Sequence, residues 1–391
     1  MGNAVYIFGA GASKDFGLPL GNELFDCAYG LLDLNNDPVA TAELKLVLME
    51  VEKYMRQIFT NLPDDKKAYP PLEEVLTFLW DCKKAERFDY DQNKLVSIFN
   101  HEKGAEGVFD VFVKMLGLTL AGSMQFQQSE NRIQAFKDFI KSLDFKKRNI
   151  SFISLNYDVI LDNILFECVS ENIIEDYTYG APLSDIAEKY MNASDQKFCR
   201  ENGVLLLKPH GSLNLVLCRR HRQCDCGEGF YYSNSDFLAV KAKDLRCPCC
   251  STRLEPLLIP PLYNKGNYVA DKSVRRPGTW RSTHEVYRQC VDRRTKETLQ
   301  DADEITVIGY SLPAYDYDFK TLLMTSLMQN KKRNTVCLKL ITKGDESAKN
   351  LKSQFERFVG SVVIESSVGF YNYLTTLGRG KSPATARRPA P

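Results

Sequence analysis

The segment AVYIFGAGAS, from Ala4 to Ser13, decides the fold of this chain. Five apolar residues, some β-branched and some aromatic, predict a buried strand. Gly9 and Gly11 follow that strand at once, before residues that can begin a helix. A strand that runs into a glycine turn at a helix N-terminus presents backbone N–H groups to a phosphate, and a Cβ there would hold the backbone away from the phosphate oxygens. The segment predicts an α/β nucleotide site, with a tight packing turn as the alternative.

The usual dehydrogenase fingerprint fits this segment poorly. It needs a third glycine where this chain has Lys14, and an acidic residue about 20 positions further on at the end of a second strand. Residues 22–32 have helical spacing instead. A hydride-transferring Rossmann enzyme is therefore disfavoured.

Composition places the chain among soluble globular proteins. Its 391 residues are 44% hydrophobic and 26% charged, and the net charge of +1 favours neither nucleic acid nor an anionic membrane as a partner. No apolar run approaches the roughly 20 residues that span a bilayer. The first residues lack the basic start and the apolar length of a secretory signal. We expect a cytoplasmic protein.

The pattern after the glycine turn predicts a helical block and then further strands. Amphipathic spacing predicts helices through most of residues 22–148. Four apolar strands are then predicted, at 149–154, 204–207, 305–308 and 336–341. Each ends in small, polar or ionisable residues, as strands do where a parallel sheet lines a ligand crevice. Residues 257–263, with prolines nearby, are predicted to be a connector or an edge segment.

Three polar residues at predicted strand ends are candidates for chemistry. Asn156 and Asp158 follow a buried strand at a spacing of two, so both can project toward one side of the sheet edge. The alternative is a turn in which Asp158 caps the next helix. His210 ends another predicted strand, just before Gly211, and is one of four histidines in the chain. A single histidine in such a place can also be structural.

The cysteines indicate a metal. A cytoplasmic protein with twelve cysteines points to metal binding or free thiols, not to a disulfide framework. Six of them lie within 33 residues: Cys218, Cys224, Cys226, Cys247, Cys249 and Cys250. Cys247 and Cys250 form a C-x-x-C knuckle, which with a second pair gives tetrahedral zinc. A thiol-rich loop without metal is the alternative, although its polar sequence would order poorly.

Four segments, taken in order, resemble motifs of the sirtuin family. They are Gly9–Ser13, Ser154–Asp158, Lys208–Ser212 and Gly309–Leu312, which resemble the family's nucleotide loop, its T-x-N-x-D motif, its catalytic H-G and its late G-x-S-L. The N-Y-D and G-Y-S-L forms are similar to those of bacterial sirtuin-like proteins in phage-defence systems. The resemblance covers residues 4–20 and 149–375, and it leaves the helical block and the tail outside.

The resemblance implies NAD as the ligand and assigns roles to residues. The loop of Gly9, Ala10, Gly11, Ala12 and Ser13 would hold the pyrophosphate, and Gly309, Ser311, Leu312 and Thr342 the adenosine side. Asn156 would position water or the carboxamide near the nicotinamide–ribose bond, with Asp158 nearby. His210 would act as the general base on a ribose hydroxyl or on water.

The resemblance also implies one structural zinc. Where family members place a C-x-x-C after the H-G motif, this chain has Cys218 and His221, which with Cys247 and Cys250 would make a Cys₃His site. Cys224 or Cys226 remain possible substitutes for the first pair. No open coordination position is implied.

Two departures from the family bear on the reaction. Deacetylating sirtuins have a phenylalanine–arginine pair soon after the glycine loop, where this chain has residues 18–22, LPLGN. Their V-x-F-G-E-like segment, which binds the acyl-lysine peptide as a strand, is replaced here by residues 255–261, EPLLIPP. Water is then the expected acceptor, and the expected function is a NAD⁺ glycohydrolase (NAD⁺ nucleosidase) that depletes cellular NAD in antiphage defence.

Two alternatives remain from other classes: a NAD-dependent protein deacylase or ADP-ribosyltransferase, and a non-catalytic scaffold that senses NAD or ADP-ribose. Related effectors are activated by oligomerisation or by a separate subunit. The resemblance therefore implies a homo-oligomer and an activating partner, such as a HerA-type ATPase or a short Argonaute-like subunit. Neither direct nucleic-acid binding nor a membrane is indicated.

The expected architecture is a doubly wound parallel-sheet α/β domain with a large helical insert and a small zinc-ribbon module. The predicted divisions are the first strand and glycine loop at 1–21, the helical insert at 22–148, the NAD-binding domain continued at 149–217, the zinc-ribbon module at 218–256, the NAD-binding domain completed at 257–377, and a disordered tail at 378–391.

Overall fold

The computed structural model of the protein describes residues 2–34, 38–88, 99, 104–127, 130–181, 183–185, 203–218, 229–231, 245–252, 254–259, 283–332, 334–359 and 361–378. The strands in these ranges are β1 Gly2–Phe8, β2 Arg148–Ser154, β3 Tyr177–Thr178, β4 Leu183–Asp185, β5 Val204–Leu207, β6 Gly211–Cys218, β7 Gly229–Tyr231, β8 Leu254–Leu258, β9 Glu304–Ile308, β10 Cys337–Ile341 and β11 Ser361–Ser366. The helices are α1 Ala10–Lys14, α2 Leu24–Leu34, α3 Pro38–Ile58, α4 Leu72–Phe88, α5 Gly104–Gln127, α6 Glu130–Ser142, α7 Ile160–Ser170, α8 Thr283–Gln300, α9 Tyr317–Met328, α10 Asp345–Phe355 and α11 Phe370–Gly378.

Seven strands form one parallel sheet in the order β11-β10-β9-β1-β2-β5-β3. The strand β1 lies in the middle, paired with β2 on one side and β9 on the other. The chain therefore leaves β1 toward one edge of the sheet and later fills the other side. That reversal creates a crevice at the carboxyl ends of β1 and β9, the place where open α/β sheets bind ligands.

The predicted fold class is confirmed, and so are the five predicted strands β1, β2, β5, β9 and β10. The sequence pattern did not reveal β3 and β11, which lie at the two edges of the sheet. Residues 257–263 were predicted to be a connector or an edge, and β8 ends within them as an edge strand of a second sheet. Residues 260–263 lie outside the described ranges.

Aromatic side chains join the central strand to two helices. The ring of Phe8 lies 5.5 Å from that of Phe136 on α6 and 5.8 Å from that of Phe370 on α11. Tyr6 meets Phe139 edge to face at 6.0 Å. Such rings bury a large apolar area and add specific geometry to the packing. They fix α6 and α11 against β1 and hold the strand that carries the glycine loop.

The helices α2 to α5 pack together between β1 and β2 in the sequence. Their centre is α5, where Val108, Phe112 and Met115 are fully buried. Within the described ranges it is also the one helix long and apolar enough to cross a membrane, over Gly107–Met124 with a mean hydropathy of 1.4. Because 56% of that window is buried inside the protein, the apolar character fits a core helix.

A smaller four-stranded sheet has the order β4-β7-β6-β8. Its strand β6 is buried at all eight residues and pairs with β8 in antiparallel register, from Gly211 opposite Leu258 to Cys218 opposite Leu254. The strand β6 thus begins directly after His210 and ends at the first cysteine of the predicted zinc module. One strand therefore connects His210 with the predicted zinc module.

Candidate active site

The turns after β1, β9 and β10 are joined by backbone hydrogen bonds. Gly9 N–H donates to Ile308 O, Gly11 N–H donates to Gly309 O and Gly309 N–H donates to Ile341 O, each at 2.9 Å. These turns lie at the crevice where the strand order reverses. The structure therefore brings together two of the four segments on which the predicted nucleotide site depends.

Close approach of backbone explains the glycines at this contact. Gly309 has φ of +63°, a conformation that side chains rarely adopt. A Cβ on Gly309 would overlap the Ala12 nitrogen and lie 2.5 Å from the Gly11 carbonyl carbon. A Cβ on Gly11 would lie 2.8 Å from Gly309 O, and one on Gly9 would lie 2.6 Å from the Tyr310 Cβ. The two loops leave no room for a methyl group.

The glycine loop uses several of its own amides to hold its shape. The Gly11 N–H bonds to Gly309 O, and the Ala12 N–H bonds to Gly9 O at 2.9 Å. Ala10 is exposed at the first position of the five-residue helix α1, and its N–H has no partner among the described residues. The predicted cradle therefore has fewer open amides in this structure, and the Ala10 N–H is one of them.

Ser13, Asn156 and Asp158 form a buried hydrogen-bonded chain. The Asn156 Nδ2 donates to Ser13 Oγ at 2.7 Å and to Gly9 O at 3.1 Å. The Ser13 hydroxyl in turn donates to Asp158 Oδ2 at 2.6 Å. Both Asn156 donors are occupied, so its Oδ1 remains as an acceptor for a ligand. A small cavity lies against this chain and is lined in part by Phe16 and Phe136.

Asp158 both serves this chain of hydrogen bonds and caps a helix. Its Oδ1 accepts the Ile160 N–H at 3.0 Å, at the start of α7, which is the capping role weighed as the alternative. Burial raises the pKa of Asp158, while the Lys208 charge and the Ser13 hydroxyl oppose that rise. The carboxyl group therefore holds Ser13 and Ile160 in place from a desolvated position.

His210 is buried and bonded through both ring nitrogens. Its Nδ1 lies 3.0 Å from Leu155 O, and its Nε2 lies 3.1 Å from Asp316 Oδ1. The rings of Tyr157 and Phe319 pack against it, at 6.2 Å and 6.4 Å between centroids. Leu155 immediately precedes Asn156, so the base and the amide predicted to act together are held by the same turn.

The glycine after His210 is required by the backbone. Gly211 has φ of +78°, and a Cβ there would overlap Leu257 O and lie 2.9 Å from the Leu257 carbonyl carbon. The Ile259 N–H donates to His210 O at 2.8 Å. The end of β8 therefore fixes the backbone that presents the imidazole.

The residues predicted for the adenosine side lie at the carboxyl ends of β9 and β10. Ser311 is exposed, while Leu312 is buried with φ of +53°. The Thr342 N–H donates to Ser366 O at 3.0 Å, which ties its turn to the end of β11. All three residues follow directly on strands that flank the reversal of strand order.

A buried lysine beneath the site was not singled out from the sequence. Lys208 is fully buried, and its Nζ donates to Asp162 Oδ2 at 2.8 Å, to Asp158 O at 2.6 Å and to Ser212 Oγ at 2.6 Å. A buried charge must be paired in this way to be tolerated. Lys208 thereby joins the Asn156 turn to the strand that follows His210. In the sequence, the position of Lys208 directly after a predicted strand was the one feature that could have identified it.

The helical insert contributes a further acidic residue. Glu73, in the first turn of α4, lies against Gly21, where a Cβ would meet the Glu73 carboxyl carbon at 2.5 Å. Its Oε2 is buried and accepts no hydrogen bond from the described part of the chain. Burial raises the pKa of Glu73, and the nearby Asp316 charge adds to that rise. No local sequence pattern connects residue 73 to residue 316.

Three of the predicted zinc ligands come together. The sulfur atoms of Cys218, Cys247 and Cys250 lie within 4.8 Å of one another, and those of Cys218 and Cys250 are 3.4 Å apart. Zinc bound at about 2.3 Å to each thiolate needs sulfurs about 3.8 Å apart, so the cluster fits a tetrahedral ion. His221, Cys224 and Cys226, the candidates for the remaining ligand, lie outside the described residues.

The knuckle that carries two of these cysteines is held by its backbone. The Cys247 N–H donates to Thr252 O at 2.7 Å, and the Ser251 N–H donates to Cys247 O at 2.8 Å. Ser251 has φ of +57°, which closes the turn after Cys250. Cys218 reaches the knuckle because β6 pairs with β8 at Leu254.

Comparison with known proteins gives matches among solved structures alone. No protein-family model and no curated protein sequence matches the chain. A mutant Sir2 homologue in complex with 2′-O-acetyl-ADP-ribose is 13% identical, with a TM-score of 0.39 over 98% of this chain and 94% of that one. A structure described as the structural basis of sirtuin substrate affinity is 11% identical, with a TM-score of 0.38 over 97% and 94%. A mutant Sir2 homologue in complex with ADP-ribose is 12% identical, with a TM-score of 0.33 over 97% and 94%.

All three are sirtuin structures, and sirtuins are the family that the four sequence motifs resemble. At these identities and TM-scores, the likeness assigns neither a substrate nor a residue role to this chain.

Proposed function

We propose that this protein is a NAD⁺ glycohydrolase, which hydrolyses NAD⁺ to nicotinamide and ADP-ribose. The proposal rests on one hydrogen-bonded arrangement at the end of the parallel strands. Asn156, Ser13 and Asp158 are bonded to one another and to the glycine loop. His210 is bonded to Leu155, the residue before Asn156. An amide, a hydroxyl, a carboxylate and an imidazole held by one group of turns are suited to cleaving a glycosidic bond.

The dinucleotide would lie across the reversal of strand order. Its pyrophosphate would face the glycine loop from Gly9 to Ser13, with the exposed Ala10 N–H as a donor. Its adenosine side would lie toward Gly309, Ser311, Leu312 and Thr342. The nicotinamide ribose would then lie toward His210 and Asn156, on the other side of the loop.

Asn156 is suited to stabilising the positive charge that develops on the ribose. Because Gly9 O and Ser13 Oγ take both of its amide hydrogens, the amide cannot rotate freely and its Oδ1 has a fixed direction. A carbonyl oxygen held in advance stabilises an oxocarbenium-like state without reorganising. The same oxygen can accept a hydrogen bond from water or from the carboxamide. Asp158 maintains this geometry through Ser13.

His210 would take the proton of the attacking water or of a ribose hydroxyl. The C–N bond between nicotinamide and ribose breaks, and nicotinamide leaves with the bonding pair. Water adds to the ribose carbon, and His210 accepts the water's proton directly or through the hydroxyl. Water is the proposed acceptor because the segment that binds an acyl-lysine peptide in deacetylating sirtuins is replaced here by residues 255–261.

We assign a structural role to the cysteine cluster. Cys218, Cys247 and Cys250 with one further ligand, His221 or Cys224 or Cys226, would hold one zinc ion. A closed tetrahedral site supplies folding free energy, not reactivity. It would fix the far end of β6, whose near end follows His210.

The biological role that we propose is NAD depletion in antiphage defence by a homo-oligomer under the control of a partner protein. Enzymes that consume their host's NAD must be inactive until a signal arrives. The insert exposes Leu46 and Met49 on α3, at 65% and 62%, and Phe78 on α4. Exposed apolar side chains on helices are suited to contacts between subunits. The activating partner would be a HerA-type ATPase or a short Argonaute-like subunit.

Product analysis tests the proposed reaction. Purified protein is incubated with NAD⁺ over a range of protein concentrations, alone and with the candidate activating partners, and nicotinamide and ADP-ribose are quantified. Asn156→Ala is expected to lose at least about 10²-fold in rate with little change in thermal unfolding. Consumption of an acyl-lysine peptide would favour the deacylase alternative, and tight NAD binding without any turnover would favour the sensing scaffold.

A further inference from the structure

Asp316 occupies a helix-capping position without capping the helix. It immediately precedes α9, where an aspartate usually accepts a backbone N–H of the first turn. In this structure its side chain makes no such bond. Its Oδ1 lies 3.1 Å from His210 Nε2 instead, and its Oδ2 accepts the Tyr310 hydroxyl at 3.0 Å. The side chain is 2% exposed, so water does not compete for these contacts.

The hydrogen bonds of His210 require a proton between Nε2 and Asp316. Its Nδ1 faces Leu155 O, which can only accept, so Nδ1 carries a hydrogen. Its Nε2 then faces a carboxyl oxygen at 3.1 Å. Two lone pairs would repel at that distance, and one proton between them makes a charge-assisted bond instead. The ligand-free imidazole therefore has both nitrogens engaged.

We propose that Asp316, oriented by Tyr310, is a positioning residue that fixes the His210 ring and occupies its Nε2 until substrate binds. The inference rests on the proposed function, because His210 must be the general base for Nε2 to matter. A base needs a lone pair on the nitrogen that meets the substrate. The reacting hydroxyl or water must therefore replace Asp316 at Nε2, and the bridging proton leaves with the Asp316 carboxyl group.

The groups around the pair maintain this arrangement. Burial raises the pKa of Tyr310 far above its ordinary value, so its hydroxyl stays protonated and remains a donor to Asp316. Phe319, on the helix that Asp316 precedes, packs edge to face on both His210 and Tyr310. Among the described residues, ionisable groups near the pair include Glu73 on α4, Tyr315 close to Tyr310, and Tyr157 against the imidazole.

Nitrogen-15 NMR of the histidine side chains tests the inference without turnover. With four histidines in the chain, His210 is assigned by the loss of its signals in His210→Gln. The wild-type Nε2 is expected at the shift of a protonated ring nitrogen at neutral pH. In Asp316→Asn the amide can donate to Nε2, so the signal should move to that of an unprotonated nitrogen. An unchanged Nε2 signal in that variant would overturn the inference.

Kinetics separate positioning from helix capping. Asn and Ser are both favourable residues at the start of a helix, so Asp316→Asn and Asp316→Ser remove the carboxylate without penalising the start of α9. Both variants are expected to lower kcat at least about tenfold with KM changed by less than about threefold. Tyr310→Phe is expected to have an intermediate effect. Wild-type kcat in Asp316→Ser would refute the positioning role, whereas full activity in His210→Ala would refute the proposed function itself.

Discussion

Substitution of Gly309 by alanine tests the contact on which the proposed dinucleotide site depends. The new methyl group would lie 2.5 Å from the Gly11 carbonyl carbon and 3.0 Å from the Ala12 Cα, and these atoms belong to backbone that cannot rotate away. Either the glycine loop moves or the turn after β9 opens. Both movements strain the Gly11 N–H bond to Gly309 O and the Gly309 N–H bond to Ile341 O.

The size of the effect follows from three costs. A side chain at φ of +63° costs about 1 kcal/mol. Overpacking against a rigid neighbour costs about 1–3 kcal/mol, and weakening one backbone hydrogen bond costs about 1 kcal/mol. We expect Gly309→Ala to lower the free energy of unfolding by about 3–5 kcal/mol and to abolish NAD binding.

The chain offers a matched control for this change. Gly30 lies on the exposed face of α2, and a Cβ there meets nothing within 4 Å. Gly30→Ala should therefore stabilise the protein by about 0.5–1 kcal/mol through helix propensity. Urea unfolding of wild type and both variants, with NAD binding by calorimetry, measures the difference. A loss below about 1 kcal/mol in Gly309→Ala, or NAD binding equal to wild type, would refute the contact.

Two further predictions concern the buried carboxylate and the metal. Burial raises the pKa of Glu73 in the folded protein, so the contribution of Glu73 to stability falls as the pH rises from 4.5, the ordinary pKa, through the raised pKa. Glu73→Gln should remove that pH dependence and stabilise the protein at neutral pH by about 1 kcal/mol. Equal stability curves for wild type and variant from acid to neutral pH would contradict this. Metal analysis should find one zinc per chain, and Cys250→Ser should lose both the metal and soluble folded protein. Cys249→Ser, at the exposed neighbouring residue, should keep both. A metal-free wild type that folds normally would contradict this prediction.

The sequence predicted the central elements because their patterns are local. Fully buried parallel strands appear as short apolar runs, so β1, β2, β5, β9 and β10 could be identified one by one. Polar residues directly after such strands meet at one sheet edge, and this is how Asn156, Asp158 and His210 were found together.

The remaining features depend on contacts that no local pattern specifies. The two-residue strand β3 and the edge strand β11 have too little regular spacing to be recognised. Asp316 carries the ordinary signal of a helix cap, and only the fold shows that its carboxylate faces His210, 106 positions away. Glu73, on α4 of the insert, lies against Gly21 and close enough to Asp316 for that charge to act on it.

Several predictions concern residues beyond the described ranges. They are the fourth zinc ligand among His221, Cys224 and Cys226, and the tail after Gly378, the last residue of α11. The cysteines in the described ranges nevertheless limit the number of zinc ligands that remain to be identified. With Cys218, Cys247 and Cys250 already together, one additional ligand completes a closed site.

The most direct test of the central claim is the release of nicotinamide from NAD⁺ by wild type and by His210→Ala, measured by chromatography with NAD binding recorded on the same samples. The wild-type protein is expected to release nicotinamide and ADP-ribose in equal amounts. The variant should bind NAD with nearly unchanged affinity and release at least about 10²-fold less product. Intact NAD in a wild-type sample that binds it, both alone and with the candidate activating partners, or equal product from His210→Ala, would contradict the claim that this crevice hydrolyses NAD.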